Sequence, residues 1–249
     1  MRALSFLPET PEEWIIPKEG LIACSIVENV KRASHFLEIG VLNGAYSLNI
    51  LRNVNIEGVG IDPFPNLSNM KQRTLKRLEP FNFEIYETKI QVFKSDFSLV
   101  NIDGLHTYKA VLEDLEYSST VLSNDGVIRI DDIWHPYFPG VSAAFGYWIV
   151  NSQFACFLIT GSAAYICRSE SYDYWYNHFE TEFLKFPDFP FSHFYGEGNS
   201  LAYVSDPTIG KYKPLLSIEK FAPSNKSKLL PKWPIQPVLS GANVFQNPD

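Results

Sequence analysis

The chain has 249 residues, of which 45% are hydrophobic, enough for one large domain, with or without an appendage, to fold around its own core. Lys and Arg number 21 against 28 Asp and Glu, and this net charge of -7 argues against charge-driven binding to nucleic acid or an anionic membrane; a small molecule is the expected partner, and a homo-oligomer stays open. Cys24, Cys156 and Cys167 show no CxxC spacing and so indicate neither a disulfide framework nor a structural zinc site, while the short apolar run of MRALSFLPETPEEW and the lack of any bilayer-length span make the cytoplasm the expected compartment.

Leu21, Ile22, Ile26, Val27 and Val30 share one helical face, and the apolar run His35-Phe36-Leu37-Glu38-Ile39 follows as a first strand. The stretch FLEIGVLNGAYS then breaks into Glu38, Gly40, Asn43, Gly44 and Ser47. Glycines just past the carboxyl end of a buried parallel strand let the backbone turn closely around a ligand before a helix begins. The spacing Glu-x-Gly-x-x-x-Gly lacks the second glycine of the dinucleotide fingerprint, because Leu42 stands where a GxG pattern puts it. Leu48, Ile50 and Leu51 suit a helix, and residues 56–62 (IEGVGID) read as a second strand ending at Asp62-Pro63. Residues 66–78 suit a helix, FEIYET a third strand closing at Thr88, and SLVNID a fourth strand ending at Asp103. Val111, Leu112, Leu115 and Val121 mark the next helix, SNDG a turn and VIRIDDI a fifth strand; Val141, Ala144, Phe145, Trp148 and Ile149 then repeat as an amphipathic helix. QFACFLI and AAYICR, separated by Thr160-Gly161-Ser162, have hairpin spacing rather than that of a crossover.

This order predicts an α/β fold: a doubly wound, mostly parallel, seven-stranded sheet closed by an antiparallel hairpin. Residues 1–168 form the main domain and 169–249 a C-terminal extension packed on it. The extension is expected to hold an aromatic-rich helix over 171–186, then irregular chain, then a proline-rich tail from about residue 222 that wraps the domain or lies partly disordered.

Ligands of a doubly wound sheet bind outside the carboxyl ends of its strands, where strand order reverses. Asp62, at the end of the second strand, suits the two hydroxyls of a ribose, and Glu38 beside the glycine loop suits the cationic amine of an amino-acid moiety. The same residues could instead cap a helix and start a turn; their position favours binding. Asp103, Asp131 and Asp132 close neighbouring strands and would repel one another unless a cation or a proton offsets them, which suits Mg2+ or a similar ion held by hard oxygens. His106 and His135, each three residues beyond an acid, could take a proton from a substrate hydroxyl or could be ordinary polar groups.

Taken together, FLEIGVLNGAYS, VGIDPFP, IDGLHTYKAVLEDLEYSSTVLSNDGVIRIDDI and HPYFPGVSAAF resemble class I methyltransferases, in particular the family that includes metal-dependent sugar O-methyltransferases. The resemblance covers about residues 20–168 and is specific in its DGxHxY...DD part. It implies binding of S-adenosylmethionine by Glu38, Gly40, Asn43, Gly44, Ser47, Asp62, Thr88 and Asp103, and binding of Mg2+ or Mn2+ by Asp103, Asp131 and Asp132. Asp103, His106 and His135 are the implied catalytic candidates, and a small hydroxylated molecule such as a sugar the implied acceptor. Arg129 departs from the apolar strand expected there; a neighbouring acid is its candidate partner.

The competing functions are a binding domain that keeps this fold without turnover, opposed by three retained and mutually repelling acids, and a nicotinamide-dependent oxidoreductase, opposed by the missing glycine and the hairpin. The rings of Tyr172, Tyr174, Trp175, Tyr176, Phe191, Phe194 and Tyr195 could select the acceptor or simply glue the extension to the core.

Overall fold

Successive strand residues point to opposite faces of a sheet, so a strand buried on both sides must feed two cores. In the computed structural model, which describes residues 17–30, 35–65, 68–89, 96–183, 191–194 and 200–203, this is what the central strands do. Phe36, Leu99 and Val127 pack into one core while their neighbours Leu37, Val100 and Ile128 pack into the other. The first core is covered by α1 (Pro17–Asn29), α2 (Ala45–Asn53), α3 (Ser68–Leu78) and α6 (Tyr172–Phe183), and the second by α4 (Tyr108–Val121) and α5 (Pro139–Asn151).

The strands are β1 (His35–Ile39), β2 (Glu57–Ile61), β3 (Phe83–Tyr86), β4 (Phe97–Ile102), β5 (Leu122–Ile130), β6 (Phe154–Ile159), β7 (Ala164–Arg168), β8 (Phe191–Phe194) and β9 (Ser200–Tyr203). They form one sheet in the order β3-β2-β1-β4-β5-β7-β6-β9-β8. The first five are parallel, and β7 runs antiparallel to both β5 and β6. This is the expected Rossmann-like sheet closed by a hairpin. Beyond the seven strands, β9 pairs parallel with β6 and β8 antiparallel with β9, so part of the extension continues the sheet where irregular chain was expected. The proline-rich tail lies outside the described residues.

The SNDG segment is not a turn between elements. It lies inside β5 as a bulge, with Phe97 facing Leu122 and Leu99 facing Val127, so the single residue Ser98 of β4 is matched by four of β5, Ser123 to Gly126. Cys24 of α1 and Cys167 of β7 are buried thiols, and burial pushes both up to about 12, leaving them inert at neutral pH. Among the described residues no helix is long and apolar enough to cross a membrane.

Candidate active site

β1 and β4 are neighbours in the sheet although β2 and β3 lie between them in sequence, so the connections leave their carboxyl ends in opposite directions. A cavity of about 650 Å³ opens at this switch point, lined by Glu38, Gly40, Asn43, Asp62, Thr88, Asp103 and His106 among others. Gly44 and Ser47 stand behind that lining. Gly44 is the left-handed residue (φ 72) before α2, and the Ser47 hydroxyl donates to Glu38 Oε2.

The glycine loop is held by close approach. Gly40 has φ 89, and a β-carbon there would lie 2.0 Å from the carbonyl oxygen of Asp103, so only glycine lets the loop cross the end of β4. Asp62 fixes the next turn: its Oδ2 accepts from the backbone N–H groups of Val41 at 3.0 Å and Leu42 at 2.8 Å, and its Oδ1 from that of Phe64 at 2.7 Å. A carboxylate accepts about four hydrogen bonds, so some capacity is left for a ligand.

Glu38 is 2% exposed, and burial pushes its carboxyl up to about 8 against the lowering effect of the Ser47 hydroxyl. Its Oε1 accepts from Asn101 Nδ2 at 3.5 Å, and Asn101 Oδ1 in turn accepts from Arg129 Nη1 at 2.7 Å. Arg129, the residue out of place in an apolar strand, is thereby accounted for. It is 3% exposed, its Nε donates to Glu19 Oε2 at 3.1 Å and to the Tyr165 hydroxyl at 3.2 Å, and its Nη2 lies 3.0 Å from Asp131 Oδ2. The Tyr165 hydroxyl also donates to Glu19, and the ring of Tyr46 lies 5.0 Å from the guanidinium carbon.

The acids at the ends of β4 and β5 divide into two sets. Asp131 is engaged by Arg129, so a cation of the protein itself offsets its charge. Asp103 and Asp132 instead flank His106, whose Nε2 lies 3.4 Å from Asp103 Oδ1 and 3.2 Å from Asp132 Oδ2. Both are ion-pair approaches rather than aligned hydrogen bonds. The Asp103 carboxylate first, and Asp132 second, push His106 up to about 9, and the imidazolium holds Asp132 below the usual carboxylate range. Asp132 itself has φ 57, a left-handed conformation that Asp adopts more readily than most residues. His135 is set apart from this group: Phe138 lies 4.3 Å from the His106 ring and 4.4 Å from the His135 ring, stacked on both.

The aromatic helix of the extension is placed away from the acids. Trp175 is fully buried, donates to the Asp125 carbonyl near the amino end of β5 at 3.0 Å, and stacks on Phe157 at 5.9 Å, which is a core role. Phe191 and Phe194 fall on β8, and Tyr195 lies outside the described residues. The exposed rings near the acids belong instead to the segment after β5, Trp134 at 42% and Tyr137 at 83% exposed, together with Leu105 at 68% after β4. Sequence reasoning passed over these, although IWHPYF directly after the paired acids is a signal that could have found them.

Residues 37–133 match the family model of a methyltransferase domain. No curated protein matches the chain. Among solved structures, cofactor-bound Rv0187 from MTB is 15% identical with a TM-score of 0.51, over 64% of this chain and 84% of its own. A putative O-methyltransferase from Klebsiella pneumoniae is 14% identical with a TM-score of 0.50, over 64% of this chain and 83% of its own. At such identities these two likenesses establish the fold.

Proposed function

We propose that the chain, whose residues 37–133 match a methyltransferase domain, is a class I S-adenosylmethionine-dependent enzyme that transfers the methyl group to a hydroxyl oxygen of a small molecule with the help of a divalent cation. The observation that supports this reading is the cavity at the switch point, where Glu38 and Asp62 share one lining with Asp103 and His106. A cationic amine placed at Glu38 and a ribose at Asp62 would set the sulfonium methyl toward the acids, where an acceptor oxygen attacks it in line.

Asp103, His106 and Asp132 each offer one ligand atom, all within 4.8 Å of one another, so the donor set fits a single divalent ion. The chemistry such an ion supplies is a lowered pKa for an acceptor hydroxyl. Asp131 could join that set only by giving up Arg129. The proton leaving the acceptor goes to Asp103 or His135, because His106 either ligates the ion or, without it, already carries a proton, and the exposed rings of Trp134 and Tyr137 offer apolar faces against which a sugar or other hydroxylated ring can lie. Incubation with methyl-labelled S-adenosylmethionine and a panel of hydroxylated acceptors tests the reading. Labelling of amine or thiol acceptors alone would overturn the choice of oxygen.

Two binding results follow. Asp62→Ala weakens S-adenosylmethionine binding by about 1 to 3 kcal/mol, the range for hydrogen bonds lost at a charged group, measured by calorimetry; an unchanged affinity removes Asp62 from the site. The second concerns protons. With an empty-pocket value of about 8, Glu38 holds its proton at neutral pH, and an arriving ammonium favours the carboxylate. At about pH 7, therefore, binding releases a proton, and affinity rises as the pH is raised toward that value. Calorimetry in buffers of different ionisation enthalpy reads the release, which Glu38→Gln should abolish.

A further inference from the structure

A guanidinium has only donors to offer, so every atom that meets Arg129 must accept. Asn101, fully buried on β4 beside β1 and β5, is therefore obliged to turn its carbonyl oxygen toward Arg129 Nη1, 2.7 Å away. Its amide nitrogen is thereby turned toward Glu38 Oε1, 3.5 Å away. The opposite flip would set two donors against each other at Arg129 and, once an arriving amine has ionised Glu38, two acceptors against each other there. Ser47 donates to the other oxygen of Glu38, so each carboxylate oxygen meets one donor from behind the cavity wall that Glu38 lines. Arg129 is itself held from α1 by Glu19 and from β7 by Tyr165, and cannot turn to another partner without leaving buried acceptors unmatched.

We infer that Asn101, oriented by Arg129, is a positioning residue that fixes the Glu38 carboxylate as the receptor for the cationic amine at the amino-acid end of the cofactor, resting on the proposed placement of that amine at Glu38. The two residues act through Glu38 and touch neither the ribose nor the base. Their effect is confined to ligands that carry the amino-acid moiety.

Two ligands separate this role from a merely structural one: S-adenosylhomocysteine, which has the amino-acid moiety, and 5′-methylthioadenosine, which lacks it. Glu38→Gln is the reference and should lower the preference for S-adenosylhomocysteine over 5′-methylthioadenosine. If it does not, the placement of the amine at Glu38 fails before Asn101 is considered. Given that reference, Asn101→Leu should weaken S-adenosylhomocysteine about tenfold or more, as befits a lost hydrogen bond to a charged group, with 5′-methylthioadenosine within about twofold of the parent protein. An unchanged preference in Asn101→Leu overturns the inference. Should Asn101→Leu bind neither ligand, Arg129→Lys decides, since it keeps the positive charge but offers one nitrogen where three now serve four partners. A reduced preference there supports the role, and a preference equal to that of the parent overturns it.

Discussion

Asp132→Asn is expected to lower the rate of methyl transfer by about 10² to 10⁴-fold, the range for removing a group that manages a proton or charge in the transition state, while leaving the affinity for S-adenosylhomocysteine unchanged. The substitution is clean on structural grounds. Asn tolerates the left-handed backbone that Asp132 adopts at φ 57, and Asp132 is not among the residues lining the cavity, so the loss of charge is isolated from strain and from cofactor contacts. What the variant loses is one of the two carboxylates that face His106 and belong to the proposed cation-binding set. A chelator is expected to remove activity in the parent protein and Mg2+ or Mn2+ to restore it. Full turnover in chelator would exclude the cation and leave as unaided base His135, or His106 only above the pH of about 9 at which it gives up its proton; full activity in Asp132→Asn would remove this acid from the chemistry.

The switch point was legible because strand ends advertise themselves. An apolar run followed by Glu38 and two glycines, a second closing on Asp62 and a third on Asp103 each mark a carboxyl end, and the fold brings those ends to one cavity. The glycine at position 40 was readable for the same reason, since only a close approach such as the one to Asp103 demands it. The division of the acid trio was not legible. Charge repulsion says that three neighbouring carboxylates need a cation, but sequence alone does not say whose. Glu19 is 110 residues from Arg129 and Asn101 is 28 from it, so their convergence depends on α1 packing beside β4 and on the β4 to β5 register. Similarly, the aromatic helix of the extension carries the same residue types whether it packs on a core or receives a ligand. The burial of Trp175, its stacking on Phe157 and its contact with the amino half of β5 decide for the core.

The buried guanidinium also sets the largest expected effect on stability. Arg129→Met should destabilise the protein by about 3 to 5 kcal/mol, the cost of breaking a buried ion pair by removing one partner. Met approximates the volume of the stem, so the loss does not come from a cavity; it comes from Glu19, 5% exposed, and Asp131, 22% exposed, left without their counter-charge. Against a total stability of about 5 to 15 kcal/mol this is a large fraction, and it corresponds to a fall in Tm of about 6 to 20 °C for a chain of this size. The charge origin has its own signature. Adding Glu19→Gln to Arg129→Met should recover part of the loss, because a neutral amide in place of Glu19 still accepts from the Tyr165 hydroxyl and no longer needs a cation. If the loss were one of packing, the second substitution would only deepen it. A single variant within about 0.5 kcal/mol of the parent, the ordinary range for an inconsequential surface change, would show that Arg129 is not the cation on which Glu19 and Asp131 depend.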